Sequence, residues 1–249
     1  IRSGKVAVVG EGQSVNLERL VELSPSAILD SALGDPQYDT YPKLVEGGLK
    51  VVIDGSYMES TPLGRAEWIK MIGALTGAEA AANDTYSDIR QRYNDVAEAV
   101  ASVEPVEVLP GTMSQGTWFM PTGGTYVGRL IADAGGTYPW LDEPGNQSLE
   151  LNFETVYARA GQIPLWFVVN TNWTSTADVV ADTPQYGELT AVRDGQVWNA
   201  SRAIGPTGGN DYWERGVARP DLILADLAAI IHPDTAPGHE FTFYQQLDR

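Results

Sequence analysis

Two carboxylates sit in matching surroundings about half the chain apart. Asn16-Leu17-Glu18-Arg19-Leu20 opens one apolar-periodic stretch, and Asn152-Phe153-Glu154-Thr155-Val156 opens another. Each reads as a helix start. An Asn side chain can accept from an otherwise unpaired backbone N–H, and a carboxylate in the first turn is favoured by the helix dipole. Because Asn-apolar-Glu is also a common helix opening, charge recognition and plain helix-start electrostatics both stay open for Glu18 and Glu154. Other chemistry-bearing groups are sparse. The chain has no cysteine, which removes disulfides, thiolate metal sites and thiol nucleophiles together. His232 and His239 are the only histidines, and their neighbours Pro233 and Gly238 make surface placement the expectation. No Gly-x-Ser-x-Gly elbow occurs. Gly10-Glu11-Gly12 is too short for a dinucleotide fingerprint, and no phosphate-loop lysine follows any glycine-rich turn. Thr122-Gly123-Gly124-Thr125 precedes a helix and could present N–H groups to an anion; a glycine turn plus cap explains it equally well. Acid pairs such as Asp142 and Glu143 could serve a carboxylate-dependent, glycosidase-like hydrolysis, the enzymatic alternative, but in so acidic a chain such a pair is weak evidence.

Charge narrows the partners. With 33 acidic against 16 basic residues the net charge is −17, and only Lys5, Lys43, Lys50 and Lys70 supply ammonium groups. This argues against nucleic acid as a partner, because phosphate contacts need clustered Lys and Arg. No apolar run approaches the ~18 residues of a membrane span, so no direct membrane insertion is expected in this chain. An acidic surface of this kind suits a saline or extracytoplasmic setting.

The elements that must position these groups fall into three parts. From Lys5 to about Gly77, apolar runs at Val6 to Val9, Ala27 to Leu29 and Leu49 to Ile53 alternate with helices at Asn16 to Leu23 and Tyr41 to Glu46, an α/β pattern. Pro62 then starts a helix running to about Thr76, where its preset φ is favourable. In residues 78–103, Tyr86, Ile89, Tyr93, Val96 and Val100 recur at spacings of three and four and lie along one helix face. At ~1.5 Å per residue such a helix is long enough to join two lobes, although an ordinary core helix would show the same period. Residues 104–249 repeat the α/β alternation. Strands are expected at Val106 to Leu109, Thr117 to Met120, Leu149 to Leu151, Leu165 to Val169 and Gln196 to Trp198. Helices are expected at Tyr126 to Ala134, Phe153 to Ala160, Thr176 to Ala181 and Asp221 to Ile231. The boundaries drawn are thus 1–77 for an N-terminal α/β lobe, 78–103 for a connecting helix and 104–249 for a C-terminal α/β lobe.

Over nearly its whole length the chain resembles the substrate-binding proteins of ABC importers for iron-siderophore complexes, cobalamin and haem. The likeness is carried by Asn16-Leu17-Glu18-Arg19-Leu20 with Leu23-Ser24-Pro25, Pro62-Leu63-Gly64-Arg65-Ala66-Glu67-Trp68-Ile69, and Asp133-Ala134-Gly135-Gly136. Asn152-Phe153-Glu154, Asn210-Asp211-Tyr212-Trp213-Glu214 and Arg219-Pro220-Asp221-Leu222-Ile223-Leu224 complete it. The resemblance implies two α/β sandwich lobes joined by one long helix, with a ligand cleft between them. It also implies an N-terminal lobe that is incomplete here, since family members carry a further strand and helix ahead of the segment beginning near Ile1. The implied function is capture of a metal-chelate small molecule (siderophore, cobalamin or haem) and delivery to an ABC permease, outside the cytoplasm, with a removed upstream segment as the place for a lipid anchor. No enzyme activity and no resident cofactor follow, the metal arriving only within the ligand. Glu18 and Glu154 match the family's permease-docking glutamates. Loops at the strand ends bring Tyr57, Trp118, Trp173, Tyr212 and Trp213 into consideration as ligand contacts, each of which could instead be a packing residue. Arg65 and Arg202 are the cations suited to an anionic chelate, because guanidinium offers a planar fork. A salt bridge to a nearby acid is the competing role for both.

Overall fold

The computed structural model describes residues 6–11, 14–32, 34 and 39–249. Two compact units divide the chain, Ile1–Met58 and Glu59–Arg249. In the first, Asn16 caps the helix Leu17–Leu23 by accepting from Arg19 N at 2.9 Å, as its sequence position predicts. Strands Ile28–Ser31 and Val51–Asp54 pair in parallel, and the helix Tyr41–Glu46 lies between them in sequence. The expected strand at Val6 to Val9 does not form. Val6 and Val8 are exposed, and pairing is limited to Gly10–Glu11 against Ser14–Val15, with Val9 O accepting from Asn16 N at 2.7 Å. An apolar run without a neighbouring strand has no ladder to join. Lys5, Leu33 and Asp35 lie outside the described residues.

The second unit holds a large core. Its main sheet orders Gln245–Gln246, Val197–Asn199, Trp166–Val168 and Leu109–Pro110, the last three parallel and the first antiparallel at the edge. A three-stranded antiparallel sheet sets Thr117–Met120 between Leu149–Leu151 and Met113–Ser114. The long helix spans Glu79–Val100 and buries Tyr86, Ile89, Tyr93 and Val100, the stripe read from its periodicity. It packs along Pro220–Ile231 and Ile69–Thr76. The expected single helix after Pro62 is broken at Trp68 into Pro62–Glu67 and Ile69–Thr76. Both belong to the second unit, whereas the sequence grouped them with the N-terminal lobe. The reason is packing: Gly73 sits so close to Ala82 of the long helix that a side chain on it would collide. One ion network secures this arrangement. Asp221, whose side chain is 1% exposed, accepts from Arg92 Nε at 2.8 Å and from Arg219 Nη2 at 2.7 Å, tying the long helix to the start of Pro220–Ile231.

Candidate functional site: an apolar cavity at the parallel strand ends

Where the parallel strands end, the chain builds a cavity of about 320 Å³. The strand Leu109–Pro110 supplies Pro110 and continues into Gly111 and Thr112; Trp166–Val168 supplies Phe167 and Val168 and continues into Val169. Val127, Leu130 and Ile131 come from the helix Tyr126–Asp133, and Leu227 from Pro220–Ile231. Phe119 and Pro121 close one side, and Tyr212, Trp213 and Tyr244 another. Loops at the carboxyl ends of parallel strands are the usual place for ligands in such sheets. Ser114 and Ser148 add small polar groups at the wall.

The rim is held from below by aromatic side chains. Trp118 Nε1 donates to Pro110 O at 3.1 Å and Trp166 Nε1 to Gly111 O at 2.8 Å, while the Tyr186 hydroxyl accepts from Met113 N at 2.7 Å. Gly111 has φ +84°, and a Cβ there would strike Phe119 O and the Trp118 indole nitrogen. The aromatic rings form one cluster, with Trp118 and Trp166 stacked at 5.7 Å and Trp173 and Tyr186 packed on Trp166 at 5.9 and 4.9 Å. Burial pushes the Tyr186 phenol up to about 12, so it stays a neutral hydrogen-bonding group. Trp118 and Trp173 were expected at the ligand. Both are instead buried in this cluster, Trp118 because strand alternation turns it inward with Met120 while Phe119 faces out. Trp173 is held by the fully buried Asn199, whose Nδ2 donates to Trp173 O at 3.0 Å and to Asn170 O at 2.7 Å. Asn199 and Tyr186 were not singled out from sequence. Nothing local marks either, because their partners lie far away in the chain.

Tyr212 and Trp213 meet at the cavity as expected, ring against ring edge-on at 4.7 Å. The Tyr212 and Tyr244 hydroxyls share a hydrogen bond, and burial raises both phenols well above the ordinary range. The Tyr126 ring carries the Arg65 guanidinium at 4.3 Å, and its hydroxyl is buried with no hydrogen-bond partner among the described residues. Arg65 also donates to Glu59 O at 2.8 Å, and burial lowers its affinity for its proton. Neither Arg65 nor Arg202 lines the cavity, and the Arg202 side chain is exposed. Tyr57 belongs to the first unit, where its hydroxyl donates to Ala32 O.

Tyr244 reaches the wall because Asp226 holds its segment. The buried carboxylate accepts from the backbone N–H groups of Thr242, Phe243 and Tyr244 at 3.0, 2.7 and 3.1 Å and faces His239 Nε2 at 2.7 Å. Of the two histidines expected at the surface, His239 is partly exposed beside this carboxylate, whereas His232 is not at the surface. His232 is buried with Nε2 3.1 Å from Gly135 O, because helix Pro220–Ile231 delivers it into the core. At Thr122 to Thr125 the turn-and-cap reading applies: Gly123 N donates to Leu141 O at 3.0 Å and Thr125 caps Gly128 N at 3.0 Å. Asp142 and Glu143 are exposed and do not line the cavity. Among the described residues no group of three His, Asp or Glu could hold a metal ion. Glu18 and Glu154 are exposed in the first turns of Asn-capped helices, and Asn152 accepts from Thr155 N at 2.8 Å as Asn16 does from Arg19 N.

The family described as Periplasmic binding protein matches residues 2–202. The chain belongs to the periplasmic binding protein family. An uncharacterized lipoprotein of Methanocaldococcus jannaschii is 30% identical over an aligned length of 249 residues, covering 98% of this chain and 57% of that relative. The binding protein described here thus spans little more than half of that relative's length. A periplasmic haem-binding protein from Pseudomonas aeruginosa has the same fold at TM-score 0.70 and 18% identity, covering 97% of this chain and 84% of the other. The periplasmic vitamin B12-binding protein BtuF of Vibrio cholerae is similar at TM-score 0.62 and 18% identity, covering 94% and 85%. At such identities the likeness is one of fold. The α/β fold class expected from the sequence is the one observed, and the family is one of solute-binding proteins of transport systems.

Proposed function

We propose that this periplasmic binding protein captures a metal-chelate small molecule of the siderophore, cobalamin or haem class and delivers it to an ABC permease. The observation that carries the reading is the cavity at the parallel strand ends, apolar, edged by Tyr212, Trp213 and Tyr244, in a chain of this family. An apolar pocket with a few polar groups is the usual form of a small-molecule site. The haem- and vitamin B12-binding proteins of like fold support the ligand class. In this reading the metal stays coordinated by the ligand, and the protein needs no cofactor. Glu18 and Glu154 meet permease arginines, where complementary charge fixes register more than affinity. The protein works outside the cytoplasm, with a lipid anchor upstream of the segment described. That other proteins named lipoproteins are related supports this location.

Calorimetric titration with a ferric siderophore, cobalamin and haem, accompanied by tryptophan emission, tests the reading. At least one class should bind with unchanged ligand recovered afterwards. Silence across all three would sink it. Trp213 is half exposed at the cavity, so Trp213→Ala should weaken binding roughly 5-fold, the equivalent of ~1 kcal/mol for one aromatic contact.

A further inference from the structure

Among the described residues, none of those lining the cavity carries a charge. The chain as a whole carries a net charge of −17, so the acidic groups lie elsewhere. The Tyr212 and Tyr244 phenols are neutral near pH 7 as ordinary tyrosines are, and burial raises them further. Arg65, the cation whose charge acts on Tyr212, is stacked on Tyr126 and donates to Glu59 O at 2.8 Å, outside the lining. An ionised group lodged here would lose its hydration and meet no counter-charge, whereas an apolar surface would gain by leaving water. The polar side-chain groups that remain are hydroxyls at Thr112, Ser114, Ser148 and the tyrosine pair and the Trp213 indole N–H, suited to neutral oxygen or amide groups.

We infer that the cavity selects a charge-neutral, apolar-surfaced chelate over an anionic one. The inference rests on the proposed ligand class and adds to it the charge of the portion bound. It replaces the expectation that Arg65 and Arg202 meet an anionic ligand.

Three probes decide it: a charge-neutral ferric tris-hydroxamate, a trianionic ferric tris-catecholate and a neutral corrinoid, each titrated into the whole chain. At least one neutral probe should bind about 100-fold more tightly than the trianion, from the cost of burying unpaired charge. Phe119→Lys places an ammonium at the wall on a residue 41% exposed, where folding tolerates it, and should narrow or reverse that preference. Val127→Asp should weaken the neutral probe and leave the trianion undetectable, with circular dichroism melts confirming that both variants are folded. Equal or tighter binding of the trianion by the native chain overturns the inference and leaves the chelate-binding function standing. Failure of all three probes overturns the inference, and the chelate-binding function falls with it only if haem is silent too.

Discussion

A buried carboxylate such as Asp221 shows how one residue can couple distant parts of the chain. Burial alone would push its carboxyl up, but hydrogen bonds and charge from Arg219 and Arg92 outweigh that and hold it below the usual range. Both arginines are partly exposed, so removing the acid frees them to reach water and the loss is moderate. Asp221→Ala should cost about 2 kcal/mol in urea unfolding at neutral pH, in line with hydrogen bonds to charged groups. Because the folded carboxyl binds its proton less readily than the unfolded one, the contribution is complete above the unfolded value of about 4. It is lost as pH falls through the lower folded value. The difference between native and variant should therefore be flat from pH 7 to 5 and shrink on further acidification; a difference that grew with acid would contradict the assignment. Asp221 itself was visible in sequence as part of a helix start. Its pairing with Arg92, well over a hundred residues earlier, was not, because nothing in either local sequence encodes that contact.

At the scale of elements, the loop after Leu109–Pro110 matters most, since it forms the cavity rim and three aromatic side chains hold its backbone. Tyr186→Phe removes the acceptor for Met113 N while leaving the ring packed. It should cost about 1–2 kcal/mol, the penalty of a part-buried unpaired donor. Ligand affinity should fall several-fold as the rim loosens, and a variant that lost stability but kept native affinity would show that the loop is not part of the site. The repeated helix openings belong to the same scale. Asn152→Ala should cost about 1 kcal/mol by leaving Thr155 N uncapped, read as a lower melting temperature, with ligand affinity unchanged because the cap lies away from the cavity lining.

Across the whole molecule, stability is unevenly distributed. Among the described residues of Ile1–Met58, the buried apolar side chains are Leu20 and Leu44, whereas a continuous core runs through Glu59–Arg249 from Tyr93 to Leu247. Local opening is cheapest where few apolar contacts are buried. Hydrogen exchange should therefore be fast in the strands Ile28–Ser31 and Val51–Asp54 and slow in Trp166–Val168 and Pro220–Ile231; equal protection in both units would refute this. Transport tests the proposed docking. Glu18→Ala and Glu154→Ala should leave ligand binding intact and lower uptake through the cognate permease, and charge reversal to Lys should lower it further, since repulsion is added to the lost attraction.

Sequence by itself determined the α/β class, the Asn-capped helices bearing Glu18 and Glu154, and the buried stripe of the long helix. Caps, turn residues and apolar periods act within a few residues of chain and are legible there. Tertiary structure decided which aromatic residues face the cavity. Trp118 and Phe119 are neighbours in one strand, yet the first is wholly buried under the rim and the second lines the cavity, because the pleat and the pairing with Leu149–Leu151 assign opposite faces. The same holds for Tyr186, Asn199 and Asp226, whose hydrogen-bond partners become neighbours only when distant segments pack. The uncharged character of the cavity is likewise a property of the assembled walls, formed where neutral side chains from distant segments meet and Arg65 is held on Tyr126, outside the lining.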